Sequence, residues 1–207
     1  LEIELTDDAA AKLERRYSVD PEAHRLYLQG RQFSVGSARE MNKAVEYFQQ
    51  AIAKDPGYAQ PYAGLADVYI TLAHHGVMGR EEALEKSKLA VRQALEIDAN
   101  LSEALAASAE SKYLFEWDWA GAERDLKRAS EVNPGSDFAR KSYAYFLSAV
   151  GRFDDAIEQA TVAKDLDPLS PSAYHLVAFS LMGKREYERA AAEFRAALEL
   201  NPNWTWG

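Results

Sequence analysis

The ten residues RAALELNPNW, 195–204, nearly repeat four earlier stretches of the chain. The earlier stretches are QQAIAKDPGY (49–58), RQALEIDANL (92–101), KRASEVNPGS (127–136) and TVAKDLDPLS (161–170). Each contains a small residue, then an apolar residue and then Asp or Asn. Pro follows this Asp or Asn in every stretch except RQALEIDANL. The recurrence indicates that several copies of one structural unit make up the chain.

Two markers within these stretches give the length of the unit. The recurring alanines are Ala51, Ala94, Ala129, Ala163 and Ala197, which are separated by 43, 35, 34 and 34 residues. The closing Pro follows the same spacing, with Ala99 in its place in the second copy. The two markers agree on a period of about 34 residues, with nine additional residues in the second copy.

The composition restricts the class of protein. Hydrophobic residues form 47% of the 207 residues and aromatic residues 11%, so we expect a folded core rather than disorder. The net charge of -9 would repel nucleic acid and anionic membranes, so neither is expected as a ligand of this chain. The chain has no Cys, which excludes disulfides, and no apolar run long enough to predict a membrane span.

The apolar residues of each unit follow a helical spacing. In the last copy, Tyr174, Val177, Ala178 and Leu181 lie on one predicted helix face, and Tyr187, Ala190, Phe194 and Ala197 lie on another. The alanines would let the two helices approach closely. Pro202 cannot continue the second helix. Each unit is therefore predicted to be a pair of amphipathic helices joined by a short turn.

These features resemble the tetratricopeptide repeat, a helix–turn–helix unit of 34 residues. In the first unit the matching residues are Leu26, Gly30, Phe33, Ala44, Phe48, Ala51 and Pro56. In the second they are Tyr62, Leu65, Ala66, Tyr69, Ser87, Val91 and Ala94. The resemblance implies an all-α fold, an α-solenoid that winds as a right-handed superhelix of about five units and presents its first helices on the concave side.

The resemblance divides the chain into an array and two ends. The array is expected at residues 21–203, with units at about 21–57, 58–100, 101–135, 136–169 and 170–203. Residues 1–20 are predicted to contain a short helix capped by Thr6, which either covers the first repeat or is the tail of an upstream domain. Residues 204–207 would begin a further unit, so the sequence is interpreted as a fragment of a longer protein.

Two units depart from the common pattern. The additional residues of unit two lie around AHHGVMGRE (73–81), where we expect a longer turn or a longer second helix. Ala160 stands where the repeat commonly has an aromatic residue, which predicts a thinner core in unit four.

Few residues of the sequence suggest a catalytic, metal-binding or ligand-binding site. Trp117 and Trp119 could form an aromatic cage. However, Trp119 occupies a position that is apolar in every other unit, so the core is the favoured location for Trp119. His74 and His75 are adjacent and lack the i, i+4 spacing of a helical metal pair, so an exposed turn is favoured for them. No catalytic motif is present, and we expect no enzyme activity, no cofactor and no metal.

A groove on the concave side is the candidate binding surface. The groove-facing positions selected for binding are Tyr27, Arg31, Asp67, Glu103, Glu110, Phe138, Lys141, Tyr145, His175, Phe179 and Met182. Ser34, Ala63, Gly64, Ile70, Ala106 and Ala107 are predicted to line the same wall. The middle of the groove is thus expected to be acidic and the C-terminal half to be aromatic, which suits a protein or peptide partner.

The partner segment could come from another protein or from the same chain. Repeat proteins that clamp a chaperone's terminal carboxylate use Lys and Asn, whereas the corresponding positions here are Tyr27, Arg31, Gly64 and Asp67, so that ligand is not expected. A homo-oligomerisation module is the alternative, with Trp204 and Trp206 as exposed contacts.

The amino-acid sequences of several segments also resemble the repeat regions of bacterial signalling proteins. In those proteins the repeats follow a winged-helix, nucleotide-cyclase or kinase domain. These segments are DPEAHRLYLQGR (20–31), YAQPYAGLADVY (58–69) and FEWDWAGAERDLKRASEVNP (115–134). The resemblance implies a non-enzymatic scaffold within a larger regulator, in the cytoplasm by default, with the periplasm left open.

Overall fold

The computed structural model describes residues 19–34 and 37–202, and the regular elements of this part of the chain are all helices. Ten α-helices follow one another: α1 (Pro21–Phe33), α2 (Ala38–Lys54), α3 (Ala59–His74), α4 (Arg80–Ile97), α5 (Ser102–Ser111), α6 (Trp119–Val132), α7 (Asp137–Ala149), α8 (Phe153–Leu166), α9 (Pro171–Gly183) and α10 (Tyr187–Leu200). The predicted helix at 1–20, apart from residues 19 and 20, and the predicted contacts at Trp204 and Trp206 lie outside the described residues.

The helices form successive hairpins. Each odd-numbered helix packs against the even-numbered helix that follows it, and both pack against the first helix of the next hairpin. Along the array, α1, α3, α5, α7 and α9 also contact one another in order. Tertiary packing therefore joins neighbouring units, which is the arrangement of an α-solenoid. The all-α solenoid predicted from the 34-residue period is confirmed.

The repeated phrase forms the turn between units. The backbone N–H of Asp55, which follows α2, donates to the carbonyl of Ala51 at 2.9 Å. The Asp55 carboxylate in turn accepts from the backbone N–H of Gly57 at 3.0 Å. Asp98 and Asp167 make the same side-chain bond two residues ahead, at 3.0 and 3.1 Å. The recurring Asp is therefore retained because its side chain closes the turn that starts the next unit.

The nine additional residues of unit two are distributed over its whole hairpin. Helix α3 has 16 residues and α4 has 18, whereas α9 and α10 have 13 and 14. The turn between α3 and α4 is residues 75–79, two residues longer than the turn at 184–186. The sequence predicted a longer turn or a longer second helix as alternatives, and the structure shows both. The three additional residues in the first helix were not predicted.

Close helix packing around Phe48 places several predicted groove residues in the core. Phe48 is fully buried, and its ring lies between Gly30 and Gly64. The missing side chain of Gly64 lets α3 approach Phe48, and Gly64 itself remains partly accessible, so its place in the groove stays a prediction. The prediction is wrong for Ala63, Ile70, Ala106 and Ala107, which are at most 3% exposed and pack inside the hydrophobic clusters.

Helix α5 ends in an irregular way that the sequence did not predict. It continues into one π-helical segment, Lys112–Glu116, and ends at Trp117, which has a left-handed backbone with φ 61°. A π-helical segment accommodates an extra residue within a helix. The segment ends the first helix of unit three, which is the helix that follows the long hairpin of unit two.

Within residues 19–34 and 37–202, no helix combines the length and the apolar character needed to cross a membrane.

Candidate functional site

The first helices of the hairpins bring charged side chains from four units into one region. Arg31 lies on α1, Asp67 on α3, Glu110 on α5 and Lys141 on α7. The charges of Arg31 and Lys141 both act on Asp67, and the charge of Asp137 on α7 acts on Arg31. Charges on units one, two and four thus lie close enough to interact, which indicates that the odd-numbered helices line a common concave space. We call these four residues and Asp137 the central charged cluster.

Asp67 occupies the floor of this space. It is only partly accessible, and within the described residues its carboxylate has no hydrogen bond and no ion pair within 4 Å. Burial raises the pKa of Asp67 to about 6, although the positive charges of Arg31 and Lys141 act in the opposite direction. Removal of a carboxylate from water disfavours its charged form, and the two cations compensate for only part of that cost.

Glu110 is the second buried carboxyl group of the cluster. Its Oε1 accepts a hydrogen bond of 2.8 Å from the hydroxyl of Ser142, which joins α5 to α7. Burial and, next, the like charge of Asp67 raise the pKa of Glu110 to about 8, although the Ser142 hydrogen bond opposes both effects. The two carboxyl groups are electrostatically linked, so ionisation of one disfavours ionisation of the other.

Lys141 and Arg31 hold defined positions in the cluster. The Nζ atom of Lys141 lies 2.8 Å from a carboxylate oxygen of Asp137, one helical turn earlier on α7. Arg31 donates to the hydroxyl of Tyr27 at 3.1 Å. The ring of Tyr27 packs against Phe48 and Tyr58, with centroids 5.9 and 5.4 Å away. Tyr27 therefore links the charged cluster to the core of the first hairpin.

An aromatic surface adjoins the charged cluster on its C-terminal side. The rings of Tyr145 and Phe179 are stacked, with centroids 6.4 Å apart and planes inclined by 6°. They lie 34 residues apart and thus occupy the same position in successive units. Phe179 is 43% exposed. We call this pair the aromatic ladder.

Three further predicted site residues are less available to a partner. His175 is only 9% exposed and its ring packs edge-on against Phe194 of α10, so it lies at the border of the core rather than in an open groove. Phe138 is half-buried and packs against the core cluster around Tyr143. Glu103 is partly exposed near the start of α5, where its carboxylate accepts a long hydrogen bond of 3.4 Å from Ser102.

Met182 lies near the end of α9, three residues after Phe179, in the last described hairpin. Its equivalent one unit earlier is Ser148, whose hydroxyl lies 2.8 Å from that of Ser180 in the next hairpin. By this correspondence Met182 faces the end of the last described hairpin, where a following unit would pack. Its exposure of 47% reflects that position.

The paired tryptophans and the paired histidines contact each other: the ring centroids of Trp117 and Trp119 are 6.0 Å apart, and those of His74 and His75 are 5.8 Å apart. Trp119 stacks on Tyr113 at 5.9 Å and contacts Phe146, but it remains 37% exposed, so it lies at the margin of the core where the interior was expected. Trp117 is 67% exposed in the turn. His74 and His75 are exposed. A search of the described residues for three or more His, Cys, Asp or Glu able to hold a metal ion finds none.

Sequence reasoning missed a second concavity, a cavity of about 530 Å³ between α4 and α5. Val91 and Leu95 form part of its apolar wall, and Lys88, which pairs with Glu116 at 2.7 Å, lies at its rim. The cavity lies where the long second unit meets the π-helical segment. Only the irregular period could have indicated it in the sequence.

Comparison with known proteins identifies the repeat. Residues 171–204 match the family model of the tetratricopeptide repeat. Among curated proteins, the transcriptional regulator HilA of Salmonella typhimurium is 23% identical over 154 residues, which cover 72% of this chain and 27% of HilA. The small glutamine-rich tetratricopeptide repeat-containing protein 2 of Mycosarcoma maydis is 28% identical over 107 residues, which cover 51% of this chain and 30% of that protein. This chain thus spans less than a third of the curated relatives it matches.

Solved structures support the same fold. A thermophilic tetratricopeptide protein of Thermus thermophilus superposes with a TM-score of 0.69 at 16% identity, covering 87% of this chain and 92% of that one. YrrB, described as a tetratricopeptide protein with an unusual peptide-binding site, superposes with a TM-score of 0.52 at 20% identity, covering 96% and 94%. The resemblance to tetratricopeptide repeats read from the sequence is therefore confirmed.

Proposed function

We propose that this array of tetratricopeptide hairpins is a non-enzymatic scaffold that binds a protein or peptide segment in its concave surface. One observation carries the proposal. The first helices gather the central charged cluster and the aromatic ladder on the same face, and the exposed ring of Phe179 is available there to a partner. Aromatic rings beside oriented charges provide both contact area and specificity for a peptide.

We further propose that the array belongs to a larger bacterial regulator and works in the cytoplasm. The similarity to the regulator HilA supports this context. In such a protein, occupancy of the groove would change the relation between the array and an effector domain. The net charge of -9 argues against nucleic acid as a ligand of the array itself. The predicted unit boundaries at 21–57, 58–100, 101–135, 136–169 and 170–203 are kept as part of this proposal.

A random peptide library displayed on phage, selected on the immobilised chain, tests groove binding without knowledge of the natural partner. Peptides enriched by the selection are synthesised and their affinities are measured by isothermal titration calorimetry. We expect the paired substitution Tyr145→Ala and Phe179→Ala, and Phe179→Ala alone, to weaken binding at least about tenfold, which is the effect of losing a buried aromatic contact.

Tyr187→Ala provides the matched control, because Tyr187 is an exposed aromatic residue on a second helix, 58% accessible. Circular dichroism checks that every variant keeps its helical content. Peptides that bind the Phe179 variants as tightly as the unchanged chain, or a library that gives no specific peptide, would contradict the groove assignment.

A homo-oligomerisation module remains the second candidate, and the end of the array favours it. Met182 and Phe179 lie at the last described hairpin, and their equivalents one unit earlier, Ser148 and Tyr145, are covered by the next hairpin. A second copy of the chain could cover them in the same way. Light scattering over a range of concentrations tests this candidate: a mass that stays at 23.1 kDa would exclude it for this chain.

A further inference from the structure

Among the described residues, Glu110 is the member of the central charged cluster that no cation acts on. The groups that act on it are Asp67, Ser142, Tyr113 and Tyr145, of which none is basic. Arg31 and Lys141 act on Asp67 instead, and Lys141 is paired with Asp137. Within the described residues, the second carboxylate oxygen of Glu110 accepts no hydrogen bond.

The cluster as a whole is one positive charge short when its acids are ionised. Three carboxyl groups, on Asp67, Glu110 and Asp137, face two cations, on Arg31 and Lys141. Both Asp67 and Glu110 keep some contact with solvent although protein surrounds them closely, which is the situation of groups on the floor of a concavity. An incoming cationic group could therefore reach Glu110 from the groove, where the reduced water content strengthens the attraction.

The aromatic ladder indicates which other side chain of the bound segment should lie beside that cation. Tyr145 is electrostatically linked to Glu110 and stacks on Phe179. A Lys or Arg side chain could lay its aliphatic stem along the ring of Tyr145 while its charged end meets Glu110. A neighbouring apolar side chain of the same segment would then lie on the exposed part of Phe179.

We propose that the segment bound in the groove carries a Lys or Arg whose charged group pairs with Glu110, next to an apolar residue that packs on Phe179. This inference rests on the proposed function of the groove and specifies the chemistry of its partner. The partner is thus a basic and apolar peptide segment, whose cation pairs with the ionised form of Glu110.

The peptide selection described above provides the test, with the enriched sequences aligned by position. We expect Lys or Arg to be enriched at one position and an apolar residue beside it. Replacing that basic residue by Met in a synthetic peptide should weaken binding about tenfold to a hundredfold, which is the effect of removing a hydrogen-bonded charge pair. Glu110→Gln in the protein should have a similar effect, and the two changes together should cost little more than either alone.

Two further measurements separate a direct contact from a structural effect. Glu110→Asp keeps the charge and should retain part of the affinity. Calorimetry at pH 7 in buffers of different ionisation enthalpy should detect proton release on binding, because a cation beside Glu110 favours its ionised form. Glu116→Gln is the control, since Glu116 lines the separate cavity between α4 and α5.

The failures of the two proposals are distinguishable. Peptides that bind through Phe179 but show no preference for a basic residue, and that are insensitive to Glu110→Gln, would overturn this inference and leave the groove function intact. A selection that yields no specific peptide would overturn both. Binding without proton release in any buffer would also contradict a cation beside Glu110.

Discussion

Gly64 of α3 lies directly against the ring of Phe48 on α2: a Cβ atom at Gly64 would come within 2.6 Å of Phe48 Cζ. Phe48 is fully buried and cannot move aside without disturbing the hairpin of unit one. We expect Gly64→Ala to lower the free energy of unfolding by up to about 2 kcal/mol. Overpacking costs about 1–3 kcal/mol, and the better helix propensity of Ala offsets about 1 kcal/mol of this. Urea denaturation followed by circular dichroism measures the change.

Gly135→Ala is the control for that substitution, because its nearest atom would lie at an ordinary contact distance of 3.6 Å. In a Phe48→Leu background, Gly64→Ala should cost less than in the unchanged chain, since the smaller side chain relieves the overlap. An equal cost in both backgrounds would show that the Phe48 ring is not the obstacle.

The turn of unit two offers a stabilising substitution at Ala99. Asp98, which precedes it, has φ -134° and ψ 97°, close to the -138° and 90° of Asp55, which precedes Pro56. In the described chain the N–H of Ala99 donates no hydrogen bond. Ala99→Pro should therefore raise the free energy of unfolding by about 0.4–1 kcal/mol, because it restricts the unfolded chain without straining the fold.

The reverse change, Pro168→Ala, provides the matched comparison. Asp167 before it has φ -133° and ψ 86°, so the local geometry is the same. The free energy of unfolding of the Pro168→Ala variant should fall by a similar amount. If Ala99→Pro destabilised the chain, the turn of unit two would have to differ from the Pro-containing turns, in spite of their similar dihedral angles.

Local features of the fold were accessible from the sequence because they repeat. The spacing of Ala51 and its four equivalents determines the period, and the Asp before Pro determines the turn. The helical spacing of apolar residues then defines each hairpin. The π-helical end of α5 was not accessible, because it depends on how the long second unit packs against the third and no local pattern in KYLFE signals it.

The candidate site was predicted less completely, for a geometric reason. Helix faces can be assigned within one unit, which located Arg31, Asp67, Glu110 and Lys141 on the first helices. Which of them meet across the groove depends on the curvature of the whole array, which results from many small packing contacts. The same contacts bury His175 against Phe194, a position that the helical spacing alone does not distinguish from the groove.

Paired hydroxyl groups join two of the first helices, and removing one partner should cost more than removing both. The hydroxyl of Ser180 donates to the carbonyl of Leu176 at 2.8 Å, so the hydroxyl of Ser148, 2.8 Å away, donates to Ser180. Both residues are buried. We expect Ser180→Ala to lower the free energy of unfolding by about 1–3 kcal/mol, since Ser148 then loses its partner in an apolar interface.

The double substitution Ser148→Ala and Ser180→Ala should be less destabilising than Ser180→Ala alone, because no unpaired hydroxyl then remains. Thermal and urea unfolding of the four proteins in this cycle give the coupling energy. Additive effects would mean that the two hydroxyls do not depend on each other.

The pH dependence of stability should report the burial of Glu110. Its pKa in the folded chain is raised to about 8 from an ordinary value of 4.5, mainly by burial and next by the charge of Asp67. A group whose folded pKa is raised favours the folded state while it is protonated. The stability that depends on the protonated carboxyl is therefore complete below pH 4.5 and is lost progressively up to about pH 8.

Glu110→Gln should remove this loss, because an amide stays neutral and its oxygen can still accept from Ser142. Relative to the unchanged chain, the variant should be of similar stability near pH 4.5 and more stable at pH 9, by about 2 kcal/mol once partial solvent access is allowed for. Urea denaturation of both proteins at pH 5, 7 and 9 measures the difference. Glu123→Gln is the control, because the pKa of Glu123 is lowered by its bonds to Arg152 and Lys127, and its replacement should not stabilise the chain at high pH. A gap between the two proteins that stays constant from pH 5 to pH 9 would place Glu110 in a well-hydrated position and contradict a buried acid at the groove floor.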